Sequence, residues 1–465
     1  MTYPEWVLKY RTKGTQIRVI KGNYYLYKVH SVYNKDKKRA QLITDKYIGK
    51  ITPDGIIPPK HERIIEELKH ITAKEYGASR FIHIIGEDIL NDLKGIFSNG
   101  DLIFTMAAIR FLHSSPLKNM QLIYDTSYFS DVFEIDLSPR ILGDILRDIG
   151  MDRSRIVNFL KNYLLGAEYV AIDLTHVFSF SENVISSMMG HNSKNEFSPQ
   201  IQLLYLFDIV KNEPAYYRML VGSVTSVSSI KITMEESGIT NIVLIGDKGF
   251  YSGDNVDELE QKNIHYILPL KRNLSIIDYN YDKRNMKFFF FEGRQIWYYE
   301  KDLGKRKIIL FLDEHLKAEE EKDYLKNIKD NNMEEFYSRY REMGTISVIT
   351  DLNEKGDKIY ELLKARINIE QLFDTFKNVL EADRTYMRDD YELEGWMLVN
   401  FVSMLLYYRI YNILRAKKML KNYSVKDILL HLSRIHEIKV GDQWFKTEIP
   451  RKTRQIIEKL QIPII

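Results

Sequence analysis

Apolar and polar positions change rhythm along this chain, and each rhythm predicts a different kind of element. In TQIRVIKGNYYLYKVHSVY and KKRAQLITDKYIGKI, between residues 15 and 52, Tyr, Val and Ile alternate with polar residues around a polar turn at Asn34-Lys35-Asp36. A period of two predicts strands joined as a hairpin. From Pro59 to about Leu165 the apolar spacing lengthens to three and four residues. RIIEELKHITAKEYG, DLIFTMAAIRFLHSS and SPRILGDILRDIGMDRSRIVNFLKNYLLG therefore read as helices. The last opens on Ser138-Pro139, an N-cap residue followed by proline at the first helical position. It suits a helix-turn-helix and a plain helical bundle equally well.

A different texture begins near residue 166. EYVAIDLTHVFSF, SPQIQLLYLFDIV and PAYYRMLVGSV read as three successive strands, SSIKITMEESGI as a helix, NIVLIGDKGF as a strand with a glycine turn, SGDNVDELEQKN as a helix and IHYILPLK as a strand. A mixed segment follows, in which MKFFFFEGRQIWYYEKDLG and KRKIILFLDEHL predict further strands. GTISVITDL then leads into a helix over LLKARINIEQLFDTFKNVLEADR, and helices finish the chain, among them SVKDILLHLSRIHEI. The run WMLVNFVSMLLYY after Gly395 is too short to span a bilayer comfortably and reads as a buried helix.

Composition narrows the class. The chain has 465 residues, 45% hydrophobic and 28% charged, which suits a soluble multi-domain protein with a sizeable core. It has no cysteine, which removes disulfides, thiolate metal sites and a thiol nucleophile and fits a reducing cytosol. The N-terminus has no long apolar core, so a cytoplasmic location without a membrane partner is expected. Net charge is only +3, yet the first fifty residues carry nine Lys and three Arg against three acids, and Lys271 to Lys307 is basic on balance. Such clustering suits a polyanion partner as well as a solvated lysine-rich surface.

The candidate chemistry lies in acids at special places. Asp173 follows YVAI and Asp247 follows VLIG, so both are expected where an apolar strand runs out. Arg366, Glu370 and Lys377 are spaced by four and seven residues, close to one and two helical turns, which predicts one shared face. Read singly, Asp173 is a strand-end cap, Asp247 a turn aspartate and Glu370 an ion-pair partner of Arg366. Read together, three carboxylates from two strands and a helix make a hard-oxygen site suited to Mg²⁺ or Mn²⁺. Two such ions support in-line phosphoryl displacement, with Arg366 and Lys377 holding phosphates nearby. Lys248 and Lys271, each following a core strand or its aspartate, are further phosphate candidates. His176 and His191 are lone histidines near the first aspartate and read as structural.

These residues resemble the DDE transposases of bacterial and archaeal insertion sequences, in the superfamily marked by a Tyr-Arg-Glu-Lys signature. The resemblance rests on Arg366, Glu370 and Lys377, on Asp173 in IDLTHVF, on Asp247 in IGDKGFYSGDN and on Phe373 in IEQLFDTFK, and it runs from about Gly166 to Tyr408. The signature tyrosine belongs three residues before Arg366, where this chain has Leu363; Tyr360 is about a turn out of phase. The resemblance implies an α/β fold with a ribonuclease H-like core at 166–271 and 343–415, interrupted by a mainly β insertion at 272–342. Around it stand a β-rich basic region at 1–58, a helical DNA-binding region at 59–165 and a C-terminal helical region at 416–465. It also implies a homodimer that binds terminal inverted repeats, cleaves the ends with Asp173, Asp247, Glu370 and two divalent ions, and joins the 3′-hydroxyls to target DNA. Trp297, in the insertion, is a candidate platform for a flipped base, though IWYY also suits plain packing. The rival expectations are a catalytically silent DNA-binding derivative and a ribonuclease H-like nuclease without strand transfer.

Overall fold

Strand alternation near the N-terminus yields a four-stranded antiparallel sheet in a computed structural model that describes residues 3–464 except 36–37, 63–70, 180, 192–196, 222–225, 240–241, 328–332 and 441–442. The chain divides into two compact units, Met1–Glu75 with Ile435–Ile449, and Tyr76–Arg434 with Pro450–Ile465. In the first unit β1 (Thr15–Ile20), β2 (Asn23–Asn34), β3 (Arg39–Thr52) and β4 (Gly55–Ile57) pair in sequence order. Lys21 and Gly22, both at positive φ, make the tight β1–β2 turn that suits the strand twist. Val7, Ile17, Leu26 and Ile51 form its small core, with Trp6 and Tyr24 packed at the edge.

Two helical expectations fail in this unit. Of the helix expected over 63–77, residues 63–70 lie outside the described residues, and Thr72–Glu75 is a strand, β5. It pairs with a strand at His436–Val440, which pairs in turn with Gln443–Lys446. Among the described residues the C-terminal stretch 416–465 is thus helical beyond Ala416 only at Val425–Leu432 and Arg451–Leu460. HEIKV alternates and is bracketed by two partners, so ladder bonding overrides its neighbours' helical rhythm.

The second unit is built on an 11-stranded mixed sheet. Its strands are β6 (Tyr169–Ser179), β7 (Met188–His191), β8 (Phe197–Asp208), β9 (Glu213–Leu220), β10 (Val243–Ile245), β11 (His265–Pro269), β12 (Lys287–Phe291), β13 (Arg294–Asp302), β14 (Lys307–Asp313), β15 (Thr345–Thr350) and β16 (Arg384–Thr385). β6, β8 and β9 are antiparallel neighbours, while β10 and β11 continue parallel to β6 on its other side. The two connections into β10 and β11 carry helices, Ser226–Ser237 and Gly253–Gln261, as parallel pairing demands. β15 then pairs antiparallel to β11, and β14, β13 and β12 extend the same sheet beyond it. The segment 272–342 also holds two helices, Glu314–Asn327 and Met333–Arg339.

Helices close the core of this unit. The run expected as one helix from Ser138 is two, Pro139–Met151 and Arg153–Leu164, parted at Asp152, whose carboxylate accepts from the Arg155 amide. Ser138 stands at the N-cap, but its side chain makes no capping bond there. Among the described residues one helix, Asp390–Ala416, is long and apolar enough to cross a membrane, and it is mostly buried within the protein. At about 1.5 Å per residue it runs roughly 40 Å, apolar nearly all round, as a central helix must be. The helix Pro139–Met151 crosses it closely: a Cβ on Gly150 would stand 1.9 Å from the Tyr391 carbonyl oxygen, and one on Gly395 2.1 Å from that of Leu146. Only glycine permits that approach.

Candidate active site

The register of β6 with β10 explains how two aspartates far apart in sequence meet. Ala171 and Ile245 are the last paired residues of these parallel strands. Asp173 and Asp247 each stand two residues further on, level with each other just past the last β6–β10 pair. Asp247 lies past the end of β10, as expected, but Asp173 lies inside β6, which continues to Ser179. The reason is the antiparallel ladder with β8 on the other side, which carries β6 onward and sets Asp173 opposite Tyr205.

The third acid arrives on a helix that is not the uniform one its spacing predicts. The helix Gly356–Ala365 ends at Arg366, a new one spans Ile367–Asp374, and Thr375–Val379 forms a π-turn closed by the Leu380 amide on the Thr375 carbonyl. Glu370 and Arg366 keep their α-helical relation, whereas Lys377 sits in the wider turn, out of the phase a continuous α-helix would impose. Aromatic packing seats this segment: Phe373 and Phe376 both meet the buried ring of Tyr205, at 6.0 and 6.1 Å between centroids. Because Tyr205 faces Asp173 across the ladder, the same anchor that holds the helix holds it over the acids.

Arg366 ties the three carboxylates together. Its Nη2 lies 3.0 Å from Asp173 Oδ2 and 4.0 Å from Asp247 Oδ2, and its Nη1 lies 2.7 Å from Glu370 Oε1. The Arg366 Nε is buried and has no hydrogen-bond partner. Burial raises the Asp173 carboxyl above its ordinary range; Arg366 and a 2.8 Å hydrogen bond from the Leu174 amide pull it down, and the charges of Asp247 and Glu370 push it up again. Glu370 and Asp247 are the more open of the three, their side chains 56% and 44% exposed against 18% for Asp173, so the cluster faces solvent on one side.

The remaining expected residues fall at graded distances from this centre. Lys377 lies near His176, where burial and the ammonium charge hold the imidazole pKa down at about 4. The side chain of His191 lies outside the described residues. Lys248 is exposed in the turn after Asp247, and Lys271 is exposed two residues after β11 ends. Both therefore flank the ends of the parallel strands. Trp297 does not join the cluster. β13 is four strands from β10 along the sheet, about 19 Å at 4.8 Å per strand. There Trp297 packs on Phe288 at 5.3 Å, beside Lys283. Tyr360 is a core residue, ringed by Phe289, Phe291 and Phe311, and Leu363 packs against the same core.

One residue that sequence reading passes over supports the site from below. Arg110, buried in the helix Gly100–His113, donates from Nη2 to the carbonyls of Leu380 and Glu381, and from Nη1 to that of Ser115. Ser114 Oγ donates to the Val379 carbonyl at 2.8 Å. Together they satisfy the carbonyls that the π-turn leaves open. The available signal is a single Arg inside the apolar run FTMAAIRFL.

The donor set can be tested against a divalent cation. Three carboxylates from separate elements already gather round one positive group, and hard oxygens of this kind are what Mg²⁺ or Mn²⁺ takes. Among the described residues no three acids or histidines surround a single point closely enough to hold an ion as they stand. The guanidinium fills the middle, so the donors fit in kind and in number once Arg366 turns aside.

Comparison with known proteins gives a family match over residues 189–406, to the model described as Transposase DDE domain. It covers somewhat under half of the chain and includes Asp247, Arg366, Glu370 and Lys377, but starts after Asp173. No curated protein matches. Eight chains among solved structures match. One is from a piggyBac transposase synaptic complex with hairpin DNA, at 12% identity and a TM-score of 0.40, covering 72% of this chain and 70% of that one. Another is from a Mos1 transposase paired-end complex with left transposon end, at 14% identity and a TM-score of 0.15, covering 35% and 56%. Across residues 189–406 the chain is similar to the transposase DDE domain, and that match supports a DDE transposase.

Proposed function

We propose that this protein is a transposase that binds the terminal inverted repeats of its own insertion sequence as a homodimer, cleaves the ends and transfers the 3′-hydroxyls to target DNA. The observation that carries the reading is the meeting of Asp173, Asp247 and Glu370 on Arg366, from the middle of β6, the end of β10 and a helix. A ribonuclease H-like core underlies it, supported by the order of three antiparallel strands, helix, strand, helix, strand. The mainly β insertion at 272–342 and the basic region at 1–58 complete the proposed organisation.

In this reading Asp173, Asp247 and Glu370 hold two divalent cations, Mg²⁺ or Mn²⁺. Bound ions supply a water or 3′-hydroxyl nucleophile at neutral pH and stabilise the leaving oxygen. Arg366 has two duties. Without DNA it bridges the three carboxylates and offsets part of their charge; with DNA it turns its guanidinium to a phosphate, for which a planar fork is suited. Lys377, Lys248 and Lys271 hold further phosphates along the strand. Tyr205, Phe373 and Phe376 keep Glu370 over the aspartates. Trp297, with Phe288 beside it, stacks a base drawn out of the helix some distance from the acids. Hydrolysis breaks the phosphodiester at the transposon end and leaves a 3′-hydroxyl. That hydroxyl then attacks a target phosphodiester, forming one P–O bond as another breaks.

The test is cleavage of duplexes carrying the transposon ends, in Mg²⁺, with Asp173→Asn, Asp247→Asn and Glu370→Gln. Each variant is expected to lose at least about 100-fold in cleavage rate while still binding the end duplex. Wild-type cleavage by any one of them would overturn the site. Cleavage without strand-transfer products would favour a nuclease instead.

A further inference from the structure

The hairpin of β2 and β3 is longer than its own core requires. Beyond Val29, Ser31 to Tyr33 on β2 and Arg39 to Lys46 on β3 are exposed, so the ribbon stands clear on both faces. Tyr33 is 63% exposed and Leu42 54%. A two-stranded ribbon with neither face covered is marginal by itself. Its role lies in what it contacts.

The register sorts its side chains. His30 faces Ile43, Val32 faces Gln41 and Asn34 faces Arg39, and cross-strand partners share a face. That face carries His30, Asn34, Arg39 and Gln41, with the Asn34 amide donating to Gln41 Oε1 at 3.1 Å and His30 paired to Asp45. The opposite face carries Ser31, Tyr33, Ala40 and Leu42. Residues 28–46 hold six Lys and Arg against two acids. Two such arms would repel each other, so the charge favours a polyanion over a second copy of the chain.

We propose that this ribbon reads duplex DNA from the major groove, with the face of His30, Asn34, Arg39 and Gln41 toward the base edges. The inference rests on the reading that the chain acts on DNA. The dimensions fit. The groove is about 12 Å wide and admits a two-stranded ribbon. Strands about 4.8 Å apart, advancing about 20 Å over six residues, fill it. The chemistry fits as well: Asn and Gln amides pair with adenine edges, Arg with guanine, and apolar Val32 and Ile43 suit thymine methyls. Lys28, Lys35 and Lys38 lie along the ribbon and near its turn, where phosphates pass.

The full-length protein is titrated by fluorescence anisotropy against two duplexes. One is taken from the DNA bordering the coding region, and the other is a shuffled sequence of the same composition. The double variant Asn34→Ala, Gln41→Ala is expected to lose about 10- to 100-fold in affinity for the first duplex, and less than about twofold for the second. A preserved preference for the end duplex would overturn the proposal, as would equal loss on both. So would unchanged DNA binding with an altered oligomeric state. A wild-type protein with no preference would overturn both this and end recognition. Cleavage by Glu370→Gln is scored separately and bears only on the active site.

Discussion

Single residues in this protein owe their behaviour to what burial does to charge. Asp173, the most buried of the three carboxylates, is raised by burial and pulled down by Arg366, which also reaches Asp247 and Glu370. His176 shows the same physics with the opposite sign. Its imidazole is held at about 4 by burial and by Lys377, whereas in the unfolded chain it titrates near 6.5. Between those values the unfolded chain binds a proton that the native protein refuses, so stability falls as pH drops from 6.5 toward 4. Imidazole titration by NMR is expected to show a neutral His176 at pH 6, and His176→Asn to flatten that part of the stability profile. Much of this scale is legible in sequence: an acid after VLIG and an acid in a helix beside Arg both announce themselves. EYVAIDLTHVFSF reads as a strand and is one, but Asp173 does not end it, because pairing with β8 carries β6 onward to Ser179.

At the scale of elements, the catalytic segment is a broken helix held from both sides. Tyr205, Phe373 and Phe376 fix its sheet-facing side, and Arg110 with Ser114 fixes its end. Arg110→Ala leaves buried carbonyls without donors and is expected to cost about 3 kcal/mol in urea denaturation, with Arg110→Lys recovering part. The π-turn sets Lys377 apart from Glu370, which fits a hold on neighbouring phosphate rather than on the reacting one. Lys377→Ala is expected to weaken end binding and lower the log–log salt slope by about 1, since one phosphate contact releases about one counterion. An unchanged slope would remove Lys377 from the phosphate contacts. Helical periodicity alone predicts a continuous helix here. The carbonyls past the π-turn are met by Arg110 and Ser114 from a distant helix, partners that a pattern of apolar spacing does not encode.

The larger unit gathers the acids over β6 and the end of β10, in the middle of an 11-stranded sheet. Strands β12 to β15 extend that sheet on one side, and β8 and β9 on the other. A site that gathers three carboxylates round one guanidinium in the native state alone should couple a divalent cation to folding. Millimolar Mg²⁺ or Mn²⁺ is expected to raise the melting temperature of the wild type, through binding to the folded form only. In the double variant Asp173→Asn, Asp247→Asn that rise should vanish. An equal rise in both proteins would place the ion elsewhere.

By itself the sequence determines most kinds of element, most strand positions in residues 169–350, and the residues with chemistry to offer. Those follow from local spacing and side-chain type. Tertiary structure decides which of them meet. Parallel register of β6 and β10 sets two aspartates level, aromatic packing on Tyr205 brings Glu370 over them, and buried Arg110 ends the helix. It also turns Thr72–Glu75 and His436–Val440 into paired strands. The physical reason is common to all of these: hydrogen bonds and packing between distant segments are free energies that no local window contains.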